Sequence, residues 1–599
     1  MRNATKNLLV VLLLGALLGQ CVFGMLQKSA AYDEPANLGA GYFYLKTGSF
    51  GINPDHPPFL NILAATPLLF SNLKAYFSPE YIRTVGEIRG RRDKVGQAFY
   101  VGRRILFDTN VGADTVLLLS RLPIVLLSLL LGFFIFAWAR ELYGFGAGIL
   151  ALFLYAFNPN ILAHAQLVTN DVGSACFIFI STYYFWKFMN TSGAKSLVML
   201  GFTLGLALSS HFSALMLLPI FFLSALYFFL AGKTHFPFKS ENIRNAIKNI
   251  YVSRIAEFLI SGAAVLVLGF VVILLCYGIV SVRWYFYGIS NLLEHTKNEQ
   301  MNFLLGRTST KGWWYYFPLA FLIKTPIPFL TLILLSLLLI PRLPAFRMEK
   351  ELFLIAPLVA FLSVWMMGNI NIGIRYLLSI HPFLFVLTAR VVRAEIKGKK
   401  ALLCGIILLC AWQVFSCAKI YPHYLAYFNE LIGGPDNGHK YLSDSNIDWG
   451  QDLKGLGKYM KKEGIEGVFL AYFGVAQPDS YGVKYQWLPS DGYIPYSTLS
   501  VSPARKLIAI SVKCLQGVNF PDRRYEWLER YKPAAKIGYS IFIYDITGKT
   551  DAYFNLARIY AATGSLDLAE KELKDILAIE PGNLLAKENI ARIRKAQKP

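Results

Sequence analysis

The residues of this chain best suited to chemistry are three acidic sites spread through its first third. Asp33 and Glu34 stand together before Pro35, Asp55 and His56 lie between Pro54 and Pro57, and Asp171 follows Thr169-Asn170. A carboxylate held beside a hydroxyl can take its proton as the oxygen attacks, a contribution of roughly 10²–10⁴ in rate. A single direct displacement needs one such base and no carboxylate nucleophile. A phosphate leaving in the same step needs cations or hydrogen-bond donors around it. Taken singly, each acid also reads as a solvated loop charge, so the elements that would bring them together decide between the two readings.

Those elements are membrane spans. Of 599 residues 55% are hydrophobic and 16% charged, against about a quarter charged in soluble domains. Lys6 to Lys28, Arg121 to Arg140, Glu257 to Arg283, Glu351 to Arg375 and Lys400 to Lys419 bracket apolar runs near the roughly 20 residues that one helical crossing needs. About eleven crossings are expected, near 8–26, 115–138, 146–166, 172–188, 196–209, 212–231, 257–281, 317–340, 352–368, 373–390 and 401–418. The first is read as an uncleaved helix, because no small-x-small cleavage site follows it. Leu17–Cys21 has the outline of a lipoprotein box, but Gln20 stands where a small residue is wanted.

The net charge of +22 lies largely beside the spans, where Lys and Arg mark the cytoplasmic side. That distribution argues against a nucleic-acid partner and for an N-in, C-out topology. Seven cysteines show neither metal-site nor disulfide spacing. The fold class expected is an all-α polytopic membrane protein with a small C-terminal α/β domain and a helical hairpin.

Three domains follow. Residues 1–420 form the transmembrane part, with a first outer loop at 27–113 and a second at 282–316. In the first loop amphipathic helices are expected around 34–46 and 57–77, then a basic, water-facing section with Arg89, Arg91, Arg92 and Lys94. Residues 421–548 read as an extracytoplasmic α/β domain with strands at 467–473, 506–512 and 537–546. In 549–599, Tyr553, Leu556, Ala557, Tyr560, Gly564, Ala569, Leu573, Ile576 and Pro581 fall at tetratricopeptide spacing. One repeat cannot bury its own face, so it packs on the preceding domain, a protein partner or another copy. A plain helical hairpin is the alternative.

The ordered motifs have a known counterpart. Asp33-Glu34, Gly41, Tyr42, Gly48 and His56-Pro57-Pro58 come first, then Arg121-Leu122-Pro123, Asp171, Trp313-Trp314-Tyr315-Tyr316, Lys324-Thr325-Pro326 and Arg375-Tyr376. Over roughly residues 1–420 this set resembles the GT-C superfamily of lipid-carrier-dependent glycosyltransferases. The nearest group is glycosyltransferase family 39, the protein O-mannosyltransferase and aminoarabinose lipid A transferase type. The resemblance implies Asp33 as the base toward the acceptor, Glu34 orienting substrate or backbone, and Asp55 and Asp171 shaping the same pocket. For the donor phosphate it offers Arg375 beside Tyr376, Lys324 and His56, with His295 as a further candidate. Lys324 and Arg375 sit at span edges, where a buried charge costs about 2.5–3.5 kcal/mol unless a partner such as phosphate, or snorkelling to the interface, relieves it. The chain departs from the pattern at His56, where some relatives carry Lys, and at Ser210-His211, where many do.

The expected reaction is inverting transfer of a sugar from a polyprenyl-phosphate donor to a protein, lipid or glycan at the outer face of a bacterial inner membrane, with no cofactor and no metal. A diphosphate-carrier oligosaccharyl or ligase-type enzyme, a lipid-linked sugar transporter and a scaffold built on the C-terminal repeat are the rivals. A second likeness concerns Phe428-Asn429-Glu430, Gly433-Gly434-Pro435 and the run Ser443–Asp452, which looks like a segment following the membrane region in many bacterial members of this group. Asp444, Asn446 and Asp448 lack the Gly at six and Glu at twelve of a calcium-binding EF-hand.

Overall fold

The computed structural model describes residues 3–74, 78–87, 91–191, 193–231, 250–295, 300–343, 348–492, 494–495, 497–499, 504–520 and 522–597. It contains two compact units. The first comprises Met1–Leu26, Asp33–Gln300 and Thr310–Gly434; the second comprises Gln27–Tyr32, Met301–Ser309 and Pro435–Pro599. The second unit's main segment thus begins at Pro435, and the short segments 27–32 and 301–309 cluster with it.

The first unit is helical. Among the described residues six helices are long and apolar enough to cross a bilayer by themselves: Ala4–Met25, Ala113–Tyr143, Phe212–Leu230, Arg254–Tyr277, Lys350–Met367 and Lys399–Ile420. Two further helix pairs, Phe145–Ala156 with Pro159–Ala165 and Tyr316–Lys324 with Ile327–Leu338, bring the number to eight if each bent pair is one span. The chain is a multi-pass integral membrane protein. The other stretches read as crossings are helical as well, at Asn170–Thr191, Ala194–Leu208 and His381–Ala389.

Both bent pairs break at a proline that cannot continue the preceding helix, and side chains satisfy the carbonyls each break frees. At the 64° bend, Asn158 caps the second helix by accepting from Asn160 N and Ile161 N. Gln20 donates to Ala156 O at 3.2 Å and Gln413 to Phe157 O at 2.9 Å. At the 113° bend, Asn429 Nδ2 donates to Leu322 O at 2.7 Å and Thr325 O at 2.8 Å, while Asn160 Nδ2 donates to Lys324 O at 2.8 Å. Without water in the hydrocarbon region, backbone groups left open at such a bend need partners of this kind.

Between Ala4–Met25 and Ala113–Tyr143 lie the helices Glu34–Thr47, Phe59–Ala65, Pro79–Glu87 and Arg91–Phe107. Two glycines let these helices approach closely. A Cβ on Gly102 would lie 1.8 Å from Pro35 O, and one on Gly41 1.9 Å from Asn61 O. The basic section departs from expectation at Lys94. Its side chain is buried rather than water-facing, with Nζ 4.7 Å from the centre of the Trp284 ring, and burial lowers its pKa from the ordinary lysine value. Arg89 and the side chains of Arg91 and Arg92 lie outside the described residues.

The second unit is built on a five-stranded sheet, ordered β4-β3-β5-β7-β6: β3 (Val468–Ala471), β4 (Tyr485–Trp487), β5 (Leu507–Ser511), β6 (Ala535–Ile537) and β7 (Ile541–Asp545). β3 pairs parallel with β4 and β5, whereas β7 pairs antiparallel with β5 and β6. The short hairpin of β1 (Asn302–Leu304) and β2 (Arg307–Ser309) joins this unit through Leu305 N, which donates to Tyr441 O at 2.9 Å. Three helices follow the sheet at Thr550–Ala562, Leu566–Ile579 and Leu584–Ala596. Lys506, entering β5, ties down the first two of them, through Glu572 at 2.6 Å and Asp575 at 2.7 Å, with Nζ 3.8 Å from the centre of the Tyr553 ring.

Candidate active site

Asp33 is the N-cap position of helix Glu34–Thr47, started by Pro35 in its first turn. Its side chain makes no capping bond and reaches a cavity of about 340 Å³ within the first unit. Asp55, His56, Asp171, Arg375 and Tyr376 line the same cavity. Arg375 Nη1 donates to Asp33 Oδ2 at 2.8 Å and lies 3.9 Å from Asp171 Oδ2. One guanidinium thus bridges carboxylates that are far apart in the chain.

Each side chain is aimed by its element. Asp171 occupies the first turn of helix Asn170–Thr191, where the helix macrodipole favours a negative charge, and His164 Nδ1 is 4.0 Å away. Arg375 and Tyr376 lie on a short 3-10 turn, Ile374–Ser379. The Tyr376 ring packs against Trp365 at 4.8 Å, and the Arg375 guanidinium carbon lies 5.4 Å from the Tyr376 ring centre. Asp55 and His56 come from the turn before helix Phe59–Ala65.

Glu34 points the other way. It is fully buried and accepts from Arg121 Nε at 2.8 Å and Nη2 at 2.5 Å. Arg121 Nη1 also donates to Met25 O at 3.0 Å. Glu34 Oε1 accepts from Val168 N at 2.9 Å, and Asn37, one turn along, donates to Val168 O at 3.0 Å. Both backbone groups of Val168 are thereby held, three residues before Asp171. Of the two adjacent acids, one faces the cavity and the other orients backbone.

Lys324 does not line this cavity. Its buried ammonium donates to Leu425 O at 2.7 Å and lies 4.5 Å from the Phe428 ring centre. The side chain of His295 lies outside the described residues. The helix that carries it, Arg283–His295, reaches the cavity through Gly288, Asn291 and Leu292.

Sequence reasoning passed over Asn37 and Trp365 and noted His211 only as a departure from the family pattern. Asn37 stands one turn from Asp33, a spacing that could have revealed it. His211 lines the cavity with its ring 5.2 Å from that of His56, and its Nδ1 accepts from Ser213 N at 3.1 Å. Burial, then the neighbouring His56 and Arg375, push its pKa down to about 3, so the ring is neutral at ordinary pH. Trp365, which backs Tyr376, carried no signal beyond its type. Among the described residues no three His, Cys, Asp or Glu side chains gather as a metal-holding group. Asp444 is paired instead with Lys513 at 2.6 Å.

The cavity can deprotonate an incoming hydroxyl at a carboxylate and offer a guanidinium to an anion beside it. A profile of the family described as "Dolichyl-phosphate-mannose-protein mannosyltransferase" matches residues 106–243. No curated protein matches the chain. Among solved structures, the chain is similar to ArnT from Cupriavidus metallidurans in the apo state, with 10% identity and a TM-score of 0.44 over 90% of this chain and 97% of that one. The same protein bound to undecaprenyl phosphate gives 12% identity and a TM-score of 0.45, over 90% of this chain and 98% of that one.

Proposed function

We propose that this protein is an inverting glycosyltransferase of the GT-C type, moving a sugar from a polyprenyl-phosphate donor to a protein, lipid or glycan acceptor. The observation that carries the reading is the meeting of Asp33, Asp55, Asp171 and Arg375 at one cavity in the membrane unit. The family profile over residues 106–243 supports it, because that family's name specifies a lipid-phosphate sugar donor.

In this reading Asp33 takes the proton of the acceptor hydroxyl while its oxygen bonds to the anomeric carbon. The carbon–oxygen bond to phosphate breaks with inversion, and polyprenyl phosphate leaves with the electron pair. Arg375 neutralises charge on the departing phosphate, since a guanidinium's fork of donors can serve a carboxylate and a phosphate oxygen together. Asp55, Asp171 and His56 shape the pocket, and Tyr376 braces Arg375. Glu34 acts on the backbone, through Val168.

The finer reading is a family 39 enzyme with eleven spans in a bacterial inner membrane, its cavity and C-terminal domain outside. The last helices form a tetratricopeptide-like repeat that takes a protein partner. No metal is required. Chelation with EDTA should therefore leave transfer intact, and loss of transfer would favour a diphosphate-carrier enzyme.

The two broken helices favour a second reading, because transporters build their sites from such helices. Here, however, Gln20, Gln413, Asn160 and Asn429 occupy the freed carbonyls. Purified protein given a labelled polyprenyl-phosphate sugar separates the readings. Transfer should occur and fall roughly 10²–10⁴-fold in Asp33→Asn. Full-rate transfer by that variant, or translocation without transfer, would refute the proposal.

A further inference from the structure

The C-terminal unit encloses a hollow of its own, of about 600 Å³, which the reaction proposed above does not use. Its floor comes from the outer hairpin of the five-stranded sheet. Successive residues of a strand alternate between faces, so Phe542 and Tyr544 of β7 share one. Lys536 of the edge strand β6 is the register partner of Phe542. All three line the hollow, with Lys536 Nζ 5.0 Å from the centre of the Phe542 ring. The β1–β2 hairpin adds Phe303 to the wall, and the 3-10 turns Pro435–Lys440 and Glu526–Arg530 supply polar side chains.

That wall is rich in charge yet carries no net charge among its described residues. Asp436, Glu526 and Glu529 stand against Lys440, Arg523 and Lys536. His439, also in the wall, is neutral at ordinary pH, because burial, then Lys536 and Lys440, push its pKa down to about 4. Lys536 Nζ donates to Asp436 Oδ1 at 3.0 Å and to Asp436 O at 3.2 Å, and Arg523 Nη1 lies 3.2 Å from Glu526 Oε1. A carboxylate accepts, and an ammonium or guanidinium donates, more than one hydrogen bond. These pairs therefore cancel charge without exhausting their capacity to bond a ligand. Gln516 is oriented by donating from Nε2 to His439 O at 2.5 Å and to Leu442 O at 3.0 Å. Its Oε1 is left buried with no donor among the described residues.

The balance of charge decides the class of ligand. A phosphate or an acidic peptide calls for an excess of Lys and Arg, and an apolar group would strand these polar side chains without partners. A sugar satisfies both halves of the wall. Its C–H groups pack on an aromatic face, where the ring quadrupole is negative, while its hydroxyls donate and accept at the rim. The volume lies within the roughly 300–1,000 Å³ of small-molecule sites. We propose that this hollow is a binding site for an uncharged saccharide. It is independent of the role proposed for Asp33.

Full-length protein in detergent is titrated with mannotriose, maltotriose and chitotriose, three uncharged probes, and with inorganic phosphate as a charged comparator. At least one trisaccharide should bind saturably, and phosphate should not displace it. Arg523 and Glu526 are 52% and 57% exposed, so replacing them seldom disturbs folding. Arg523→Ala combined with Glu526→Ala should weaken trisaccharide binding about tenfold or more, with the melting temperature unchanged. Glu529→Gln should weaken it in the same direction. No saturable binding of any trisaccharide overturns the site, as does binding that phosphate displaces. Wild-type affinity in both variants also overturns it, because the sugar is then held elsewhere. Asp33→Asn should bind the trisaccharide as wild type does, whatever its effect on transfer, so failure of the proposed reaction and failure of this site are told apart.

Discussion

Arg121 closes a two-pronged ion pair on Glu34, at 2.8 and 2.5 Å, one residue beyond the acid that faces the cavity. Both partners are buried. Removing one side of such a pair strands the other charge, at a cost of about 3–5 kcal/mol. Glu34→Gln should therefore unfold at markedly lower denaturant or temperature, whereas Asp33→Asn should melt near wild type yet fail in transfer. Glu34→Leu combined with Arg121→Met should regain much of the lost stability. Equal stability of Glu34→Gln and wild type would contradict the structural role.

Arg375 is placed to meet both the base and a phosphate. Lysine keeps the charge but lacks the planar fork. Arg375→Lys should lower kcat/KM by roughly 10²–10³, the usual cost of losing a donor to developing charge, and should weaken binding of polyprenyl phosphate. Steady-state kinetics beside a direct binding measurement tests both effects.

Lys324 and Asn429 provide the opposite control. Lys324 bonds Leu425 O and Asn429 satisfies two carbonyls at the 113° bend. Asn429→Ala should cost about 1–3 kcal/mol for each carbonyl left unmet. Lys324→Met should leave polyprenyl-phosphate affinity unchanged. A large loss of that affinity in Lys324→Met would return the lysine to the donor site suggested by sequence resemblance.

His439, in the C-terminal unit, gives a pH signature. Burial first, then Lys536 and Lys440, push its pKa down to about 4. Between that value and the unfolded value of about 6.5, the unfolded chain binds a proton that the folded chain refuses. Its contribution is thus complete above about 6.5 and is lost as pH falls toward about 4. Asp448 acts in the opposite sense, since burial raises its pKa to about 7, so the test compares His439→Gln with wild type. The variant's apparent melting temperature should fall less steeply with acid across that window. Parallel curves would refute the assignment.

The spans were legible because hydrophobic runs bounded by charge have few other uses, and Asp33, Asp55, Asp171 and Arg375 were named before their meeting could be seen. What the sequence concealed was mostly non-local. The partner of Glu34 lies 87 residues away and that of Lys28 lies 424 away, and no periodicity links them. Lys94 was misread because a basic run resembles a solvated face until an aromatic ring is found beside it. Pro159 and Pro326 announced their breaks plainly, but nothing local identified Gln413 or Asn429 as the residues that satisfy them.

Within the C-terminal unit, residues 27–32 pair with the turn Asp448–Asp452, through Ser29 N to Gln451 O, Tyr32 N to Trp449 O and Lys28 to Asp452, and this pairing orders events during synthesis. Residues 27–32 leave the ribosome before Asp452, the partner of Lys28, which lies 424 positions later. The C-terminal unit is consequently knit from segments 424 positions apart, a non-local topology of the kind that folds slowly. Until translation has passed that point, residues 27–32 have no turn to pair with. A nascent chain halted between Tyr376 and Asp448 would carry every residue that lines the cavity of the membrane unit, with residues 27–32 still lacking their partners.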